Sequence, residues 1–423
     1  MKIFKFGGAS VKNAEAVKNV ADIIKMFPSD SLMIVVSAMG KTTNALEKIA
    51  NTYYSKAVTG QSDFEELKNY HFGIIHELFP YQEHAVYDDA LHLFGMLHKL
   101  LLTKPSSNFD AEYDRIIPFG ELISSCIVYH YLNEAGVSTS LFDARTFIKT
   151  DSTFREGKID WIKTKQATAD ILLPYFDQGK KTGLTQGFIA SSPRNQNVTL
   201  GREGSDYTAA ILAWCLDAEE VIIWKDVPGL LNADPKYFSK TRKLDHISYR
   251  DAIELAYFGA SVIHPKTIQP LQNKNIPLKI KSFIHPDEEG SAIGSETDAA
   301  SRSIPSYIFK PNQVLISISA RDFSFIAEQN LKTIFGLFAM QGIRINMMQN
   351  SAISFSICTD NDARRINPCI EQLQKDFAVK FNENLELITI RYYTQEVIDR
   401  VVAGRKVLLE QRSRLTAQMV VKN

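Results

Sequence analysis

A lysine followed by two glycines near the start of the chain could bind phosphate. Lys5 lies near the end of a strand-like run, and Gly7 and Gly8 follow after Phe6. Glycines let the backbone approach a phosphate closely and donate N–H groups to it, and the lysine supplies positive charge. The motif is weak alone, because a Gly-Gly turn after a strand is often only structural. No P-loop or G-x-G-x-x-G dinucleotide motif accompanies it.

The run TLGREGSDY, which ends at residue 207, could bind anions. Gly204 and Ser205 would present backbone N–H groups at the start of an apolar helix, where anions are favoured. Arg202 could bind a carboxylate through two hydrogen bonds, and Asp206 could orient Lys5 or a metal ion. A capping role for Ser205 or Asp206 is the structural alternative, and it is compatible with ligand binding.

A third run, from Trp224 to Lys236, follows an apolar strand. Its aspartate, proline, glycine and asparagine residues predict a loop, which alone would be an ordinary turn.

The elements that must position these runs have the order of an α/β domain. A strand over 1–6, a helix over 11–26 with apolar residues at helical spacing, and a strand over 32–36 open the chain. This order predicts a parallel sheet, and ligands bind beyond the carboxyl ends of such strands. Residues 45–135 are predicted mostly helical, and further strands are predicted at 138–142, 183–189, 221–224 and 278–284, the last one closing the domain.

A linker is predicted over 287–303, which is rich in glycine, serine and acidic residues. The stretch 313–382 then has the order βαββαβ, which is typical of a ferredoxin-like unit. A strand, a helix over 395–411 and a strand over 416–421 complete the chain.

Composition excludes several classes of protein. The chain has 423 residues, 45% hydrophobic and 23% charged, and both Lys+Arg and Asp+Glu number 48, so no global charge favours nucleic acid. No 18-residue apolar run or signal peptide is present, so we expect a cytoplasmic protein that does not bind membranes. The four cysteines are expected to be buried free thiols. The five histidines between residues 71 and 98 have no metal-site spacing and are expected on solvated helices.

Taken together, the motifs resemble the aspartate kinases of the amino-acid kinase family. The similarity covers nearly the whole chain and implies an αβα sandwich with a mostly parallel central sheet over 1–295, followed by a ferredoxin-like α+β region of the ACT type over 305–423. The matching runs are Lys5-Phe-Gly-Gly8, Val36-Ser-Ala38, Thr43-Asn44, Phe119-Gly-Glu-Leu122, Phe142-Asp-Ala-Arg145, Thr185-Gln-Gly-Phe188, Leu200-Gly-Arg202, Gly204-Ser-Asp-Tyr207, Asp226-Val-Pro-Gly229, Ala233-Asp-Pro235, Phe258-Gly-Ala260 and His264-Pro265.

The resemblance implies an enzyme that uses ATP and Mg²⁺ to phosphorylate the side-chain carboxylate of L-aspartate, at the start of the pathway to lysine, threonine and methionine. Lys5 and Asp206 would be catalytic, with no metal ligand assigned to the protein. The family's substrate-binding positions correspond to Ser37, Thr43, Glu121 and Arg202, with Glu121 on the ammonium and Arg202 on the α-carboxylate. The nucleotide-binding positions correspond to Gly7, Gly8, Ser10, Gly204, Ser205, Lys225, Asp226, Leu231 and Lys236.

Several positions depart from the family pattern. Ala9 stands where the family usually has a threonine after the glycine pair. Lys225-Asp226 replaces a frequent Thr-Asp pair, and Leu231 replaces an adjacent tyrosine. Ser261 stands where the family often has a lysine after Phe-Gly-Ala. Either Lys225 supplies the positive charge of that lysine, or the affinity for the nucleotide is reduced. The alternatives are a kinase for glutamate or an acetylated amino acid, and a catalytically weak amino-acid sensor.

Regulation is where the departures are largest. The first ACT unit, about 313–382, is complete, whereas the second, about 385–423, is expected to lack its closing hairpin strand, second helix and last strand. An acidic residue that meets lysine in sensitive relatives corresponds to Asn346, and a following glutamate to Ala352. We therefore expect weak or no inhibition by lysine. The resemblance also implies a homodimer formed through this region, and the length of the chain leads us to expect no fused homoserine dehydrogenase.

Overall fold

The computed structural model describes residues 1–28, 30–55, 60–179, 181–238, 240–260, 263–322 and 324–422, with the side chains of residues 60 and 61 left out. The chain divides into two compact units. The first contains 1–230, 245–253 and 262–297, and the second contains 231–244, 254–261 and 298–423. The proposed division into a catalytic and a regulatory domain stays a prediction, and Ser261 lies outside the described residues.

The strands are β1 (Lys2–Phe6), β2 (Leu32–Val36), β3 (Thr139–Phe142), β4 (Thr182–Gln186), β5 (Ile189–Ser191), β6 (Asn197–Thr199), β7 (Glu220–Lys225), β8 (Leu230–Leu231), β9 (Lys243–Leu244), β10 (His246–Ser248), β11 (Leu278–Ser282), β12 (Ser291–Gly294), β13 (Ser306–Ala320), β14 (Ile345–Asn350), β15 (Ser354–Asp360), β16 (Phe377–Arg391), β17 (Lys406–Arg412) and β18 (Thr416–Lys422).

The helices are α1 (Ala14–Lys25), α2 (Thr42–Ser55), α3 (Gly60–Leu78), α4 (Val86–Leu101), α5 (Phe109–Ile116), α6 (Phe119–Glu134), α7 (Ala144–Phe147), α8 (Trp161–Asp177), α9 (Gly204–Cys215), α10 (Tyr249–Phe258), α11 (Pro265–Lys274), α12 (Ala299–Arg302), α13 (Glu328–Met340), α14 (Ala363–Asp376) and α15 (Gln395–Val402), with a 3₁₀ turn over Gly8–Val11.

The first unit is built on one large, mostly parallel sheet, with the strand order β10-β12-β11-β7-β1-β2-β4-β3. β1 lies between β2 and β7 and is parallel to both. Every residue of β2 is buried, as expected for a continuous apolar strand whose two faces are both covered. α1 begins where Asn13 accepts a hydrogen bond from the N–H of Ala16, and it buries Val17, Val20 and Ile24. The predicted α/β fold is confirmed.

The predicted linker is partly wrong. Residues 291–294 form β12, which pairs antiparallel with β11, so β11 is not the last strand of the sheet. The short helix α12 also lies within 287–303. The many glycine, serine and acidic residues hid a four-residue strand, because a strand this short carries almost no periodicity signal.

The predicted histidine environment is wrong at one position. His71 is fully buried, its Nδ1 lies 2.8 Å from the carbonyl oxygen of Leu67, and its Nε2 lies 3.2 Å from Oγ1 of Thr42. Burial lowers the pKa of His71 to about 4, so the ring is neutral at physiological pH. All four cysteines are buried, as predicted.

The second unit is a six-stranded antiparallel sheet, ordered β14-β15-β13-β16-β18-β17. β13 and β16 are each 15 residues long, and the register of their pairing shifts between Lys310 and Leu315. The part of the sheet beyond the shift, together with α13 and α14, forms the predicted βαββαβ unit. This confirms the ferredoxin-like prediction for the first ACT unit.

The second ACT unit is more complete than predicted. The predicted helix over 395–411 ends at Val402, and residues 406–412 form β17, which makes a hairpin with β18. Residues 306–310 of β13 pair with the second half of β16 and occupy the position of the missing last strand. The strand that completes this unit therefore precedes the first unit in the chain and lies outside 385–423.

Within the described ranges, no helix combines the length and apolar content required to cross a bilayer.

Candidate active site

A cavity of about 790 Å³ opens in the first unit, at the edge of the sheet where β1, β2 and β7 end. Because β1 is parallel to both neighbours and Phe6 is paired with Val36 and Trp224, the residues around these strand ends share one edge. The cavity is lined by Lys5, Ser37, Thr43, Glu47, Asp110, Tyr113, Glu121, Thr153, Phe154, Arg155, Glu156, Phe188, Thr199, Gly201, Arg202, Glu203, Gly204, Ser205, Asp206 and Lys225.

Lys5 and Asp206 form the most buried ion pair of this cavity. Nζ of Lys5 lies 2.5 Å from Oδ1 of Asp206, and the side chains are 9% and 3% exposed. Nζ of Lys225 lies 3.6 Å from Oδ2 of the same carboxylate. Burial alone would raise the pKa of Asp206, but the two ammonium groups outweigh it and hold the pKa below its usual value. The site therefore contains a fixed anion with two cations around it.

Glu121 is the second buried acid of the cavity. It lies in the first turn of α6, and its Oε1 accepts a hydrogen bond of 3.2 Å from the N–H of Ala38. Its Oε2 is buried without a hydrogen-bond partner in the described part of the chain. Burial raises the pKa of Glu121 to about 8, against the opposing effects of the Ala38 N–H group and the charge of Lys5. A cation that reached Oε2 would satisfy this oxygen and favour the ionised form.

The glycine pair after β1 is tightly packed. A Cβ atom on Gly7 would lie 3.3 Å from Nζ of Lys5, and one on Gly8 would lie 2.8 Å from the carbonyl oxygen of Ala38. Neither glycine lines the cavity, and the hydroxyl of the buried Ser10 donates to the carbonyl oxygen of Trp224 at 3.4 Å. The phosphate contacts assigned to these three residues stay predictions.

The start of α9 is positioned by a close approach between two chain segments. Glu203 has a left-handed backbone with φ of 54°. A Cβ atom on Gly204 would lie 2.4 Å from Cδ2 of Phe188, and one on Gly187 would lie 2.4 Å from Cβ of Ser205. Only glycine fits at either position, and the first turn of α9 thus carries Ser205 and Asp206 to the cavity wall.

Most of the predicted site residues meet in this cavity. Lys5, Ser37, Thr43, Glu121, Arg202, Gly204, Ser205, Asp206 and Lys225 all line it. Asp226 follows β7 but does not line it. Leu231 and Lys236 belong to the second unit.

Several lining residues were missed from the sequence. The Tyr113 hydroxyl donates to Oε1 of Glu47 at 2.7 Å, and the Arg155 guanidinium lies 4.4 Å from the centre of the Tyr113 ring. Asp114, which is fully buried, accepts hydrogen bonds from the N–H groups of Arg155 and Thr199, at 2.8 and 3.0 Å. These residues come from α2, α5 and the 151–158 loop, and no sequence motif connects them.

Comparisons with known proteins agree with this geometry. The family model described as "Amino acid kinase family" matches residues 1–282. Aspartokinase 1, chloroplastic, of Arabidopsis thaliana is 31% identical over 405 residues, which cover 92% of this chain and 68% of the relative. The lysine-sensitive aspartokinase 3 of Escherichia coli (strain K12) is 30% identical over 366 residues, covering 85% of this chain and 78% of the relative.

The solved structures lead to the same family. The crystal structure of E. coli aspartokinase III in complex with aspartate and ADP (R-state) matches with a TM-score of 0.83 and 26% identity, covering 100% of this chain and 96% of that one. The family model matches residues 1–282, and the sequence relatives and the solved structure extend the similarity over most or all of the chain. The chain belongs to the amino acid kinase family and, within it, to the aspartokinases.

Proposed function

We propose that this protein transfers the γ-phosphoryl group of ATP to the side-chain carboxylate of L-aspartate, producing 4-phospho-L-aspartate and ADP. This reaction opens the route to the aspartate-derived amino acids. The observation that carries the proposal is the pairing of Lys5 with Asp206 in a cavity that also contains Glu121 and Arg202. Named aspartokinase relatives, and a solved relative with aspartate and ADP bound, support it.

Aspartate recognition is assigned to two oppositely charged residues. Arg202 is exposed in the cavity, makes no hydrogen bond or ion pair within the described ranges, and is suited to binding the α-carboxylate in a bidentate manner. The unpartnered Oε2 of Glu121 is suited to the substrate ammonium, and the raised pKa of Glu121 would fall when that cation binds. Ser37 and Thr43 add hydroxyl groups to the wall.

The reaction needs alignment and charge neutralisation more than proton transfer. An oxygen of the aspartate side chain, whose reference pKa is about 3.9, is already ionised and attacks the γ-phosphorus. The bond between that phosphorus and the β–γ bridging oxygen breaks, and ADP leaves with the electron pair. Lys5 would neutralise charge on the transferring group, and Asp206 would hold the Lys5 ammonium in place.

The nucleotide is assigned to the remaining predicted positions. Gly204, Ser205 and Lys225 line the cavity and are suited to phosphate, whereas Gly7, Gly8, Ser10, Asp226, Leu231 and Lys236 are proposed from the family pattern alone. Mg²⁺ would neutralise phosphate charge when bound. Since both oxygens of Asp206 face lysines, the phosphates and water would hold the ion, as is common for this cation.

A substrate comparison tests the proposal. ADP release is measured with Mg²⁺-ATP and aspartate, glutamate, N-acetylglutamate or no amino acid, and hydroxylamine traps any acyl phosphate as a hydroxamate. We expect ADP and an aspartyl hydroxamate in equal amounts with aspartate alone. Preference for glutamate or its acetylated form would identify another amino-acid kinase, and no turnover would indicate a sensor.

The homodimer is proposed to form through the second unit. β14 and β17 are the edge strands of its sheet, and Met348 on β14 is 48% exposed. Open edges readily pair with a second copy. Sedimentation of Met348→Lys beside the parent chain tests this, and an unchanged dimer would exclude the β14 edge. A cytoplasmic location stays a prediction.

A further inference from the structure

Three side chains with different donor atoms meet between α4 and α6, outside the cavity described above. Cys126 and His130 are four residues apart on α6 and therefore lie on one face of that helix. Asp89, in the first turn of α4, faces them, with Oδ2 lying 2.8 Å from Nε2 of His130. A sulfur, a nitrogen and a carboxylate oxygen from these residues all lie within 4.8 Å of one another.

Burial differs across the cluster in a way that suits a small ligand. Cys126 is 6% exposed and lies deepest, the His130 side chain is 13% exposed, and the Asp89 side chain is 61% exposed. The sulfur thus forms the base of the site and the carboxylate its opening to solvent. An ion could enter from solvent without any opening of the core.

The ring of His84 forms one wall of the site. Its centre lies 5.3 Å from the centre of the His130 ring. The N–H of Val86 donates to Nδ1 of His84 at 3.1 Å, so the proton of the neutral ring is on Nε2. His84 is therefore not counted as a ligand.

We propose that Asp89, Cys126 and His130 bind a divalent ion of the zinc class through one sulfur, one nitrogen and one oxygen, with water in the fourth position. Thiolate and imidazole select such ions, whereas Mg²⁺ and Ca²⁺ prefer oxygen ligands. Bond lengths of about 2.0–2.3 Å place tetrahedral ligand atoms roughly 3.3–3.7 Å apart. The carboxylate of Asp89 would therefore move away from His130 by about half an ångström.

The ion would link α4 to α6 and stabilise the helical layer they build. None of the three ligands lines the active-site cavity, so the ion is separate from the magnesium that accompanies ATP.

Cobalt provides a direct test because it reports its ligands in its spectrum. The full chain is stripped with a chelator, then titrated with Co²⁺ in excess Mg²⁺. We expect a thiolate-to-cobalt charge-transfer band in the near ultraviolet that saturates at one ion per chain and disappears in Cys126→Ala. Cys215→Ala removes another buried cysteine and should leave the band unchanged.

A substitution at the exposed Asp89 tests the proposal even if Cys126→Ala does not fold. Asp89→Asn should bind Co²⁺ about tenfold or more weakly, with an unchanged circular dichroism spectrum. Zn²⁺ should raise the melting temperature of the parent chain, and it should do so less in this variant. Absence of the band from the parent chain, or an equal band in Cys126→Ala, would overturn the proposal.

Discussion

At the scale of single residues, the active site depends on how Lys5 and Glu121 are charged. Both side chains are buried, yet their surroundings differ. Lys5 is held by the carboxylate of Asp206, whereas Glu121 has one oxygen with no partner in the described structure. Lys5 is therefore positioned to stabilise negative charge, and Glu121 is positioned to bind a cation.

Lys5→Met should reduce kcat by about 10²–10³, because one missing charge-stabilising donor has typically this effect. Steady-state ADP release with saturating aspartate measures it. Lys18→Met, an exposed lysine on α1, is the matched control and should retain full activity. Retention of the parent rate by Lys5→Met would remove Lys5 from the catalytic group.

Glu121 should make aspartate binding depend on pH. Because the substrate ammonium needs the ionised carboxylate and its pKa is about 8, the KM for aspartate should fall as pH rises. The change should be about tenfold per pH unit below 8 and should level off above it. A KM that is flat between pH 6.5 and 9 would exclude this role.

Glu121→Gln separates binding from stability. We expect a raised KM without the pH dependence, since the amide cannot ionise. In the parent chain the raised pKa of Glu121 means that its stabilising contribution is complete below about pH 4.5 and is lost as pH rises through about 8. The melting temperature of Glu121→Gln should therefore exceed that of the parent chain at pH 9. Glu65→Gln, at an exposed position on α3, should change neither property.

At the scale of elements, the start of α9 depends on two glycines that accept close neighbours. A Cβ atom added to Gly187 would lie 2.4 Å from Cβ of Ser205 and 2.8 Å from its Cα. The contact with backbone means that no side-chain rotation can relieve it. The contact between Gly187, which follows β4, and Ser205 in the first turn of α9 therefore sets the position of Asp206.

Gly187→Ala should destabilise the chain by roughly 1–3 kcal/mol and lower kcat, because the first turn of α9 must shift. Chemical denaturation and initial rates measure the two effects. Gly95→Ala is the control, because Gly95 lies within α4 with nothing within 4 Å of an added Cβ. That change should stabilise the chain by about 0.5–1 kcal/mol. Equal effects of the two substitutions would contradict the packing argument.

At the scale of the whole molecule, the second unit has a polar network where the sequence predicted a weakened lysine site. Nδ2 of Asn346 donates to Oε1 of Gln313 and to Oδ1 of Asp360, both at 2.9 Å. Nζ of Lys310 donates to Oδ1 of Asn346 at 3.0 Å. The amide is thus occupied by internal partners, and one of these is already an ammonium group.

Lysine should therefore inhibit this enzyme weakly, with an inhibition constant of about 1 mM or weaker. A second ammonium in this network would be repelled by Lys310, and Oδ1 of Asp360 already accepts hydrogen bonds from Gln313 and Asn346, so burying that ammonium would be costly. The measurement is a lysine titration of aspartate-dependent ADP release beside calorimetry. Strong inhibition by submillimolar lysine would show that the effector binds elsewhere or rearranges this network.

The sequence determined the family, the fold class and much of the candidate site. Lys5, Gly204 and Asp206 lie in short runs whose chemistry is local, so each can be recognised from its immediate neighbours in the chain. The continuous apolar run at β2 likewise predicted a buried parallel strand, because burial on both faces requires apolar residues at every position.

Only the tertiary structure decided which residues and strands, distant in sequence, lie side by side. β12 is too short to be detected by periodicity, and 306–310 complete the second ACT unit from outside 385–423. Arg155 lines the cavity, and its backbone N–H donates one hydrogen bond to the buried Asp114, 41 residues earlier in the chain. Asp89 meets His130 because two helices pack face to face. In each case the partners are distant in sequence, and only the folded packing fixes the distance between them.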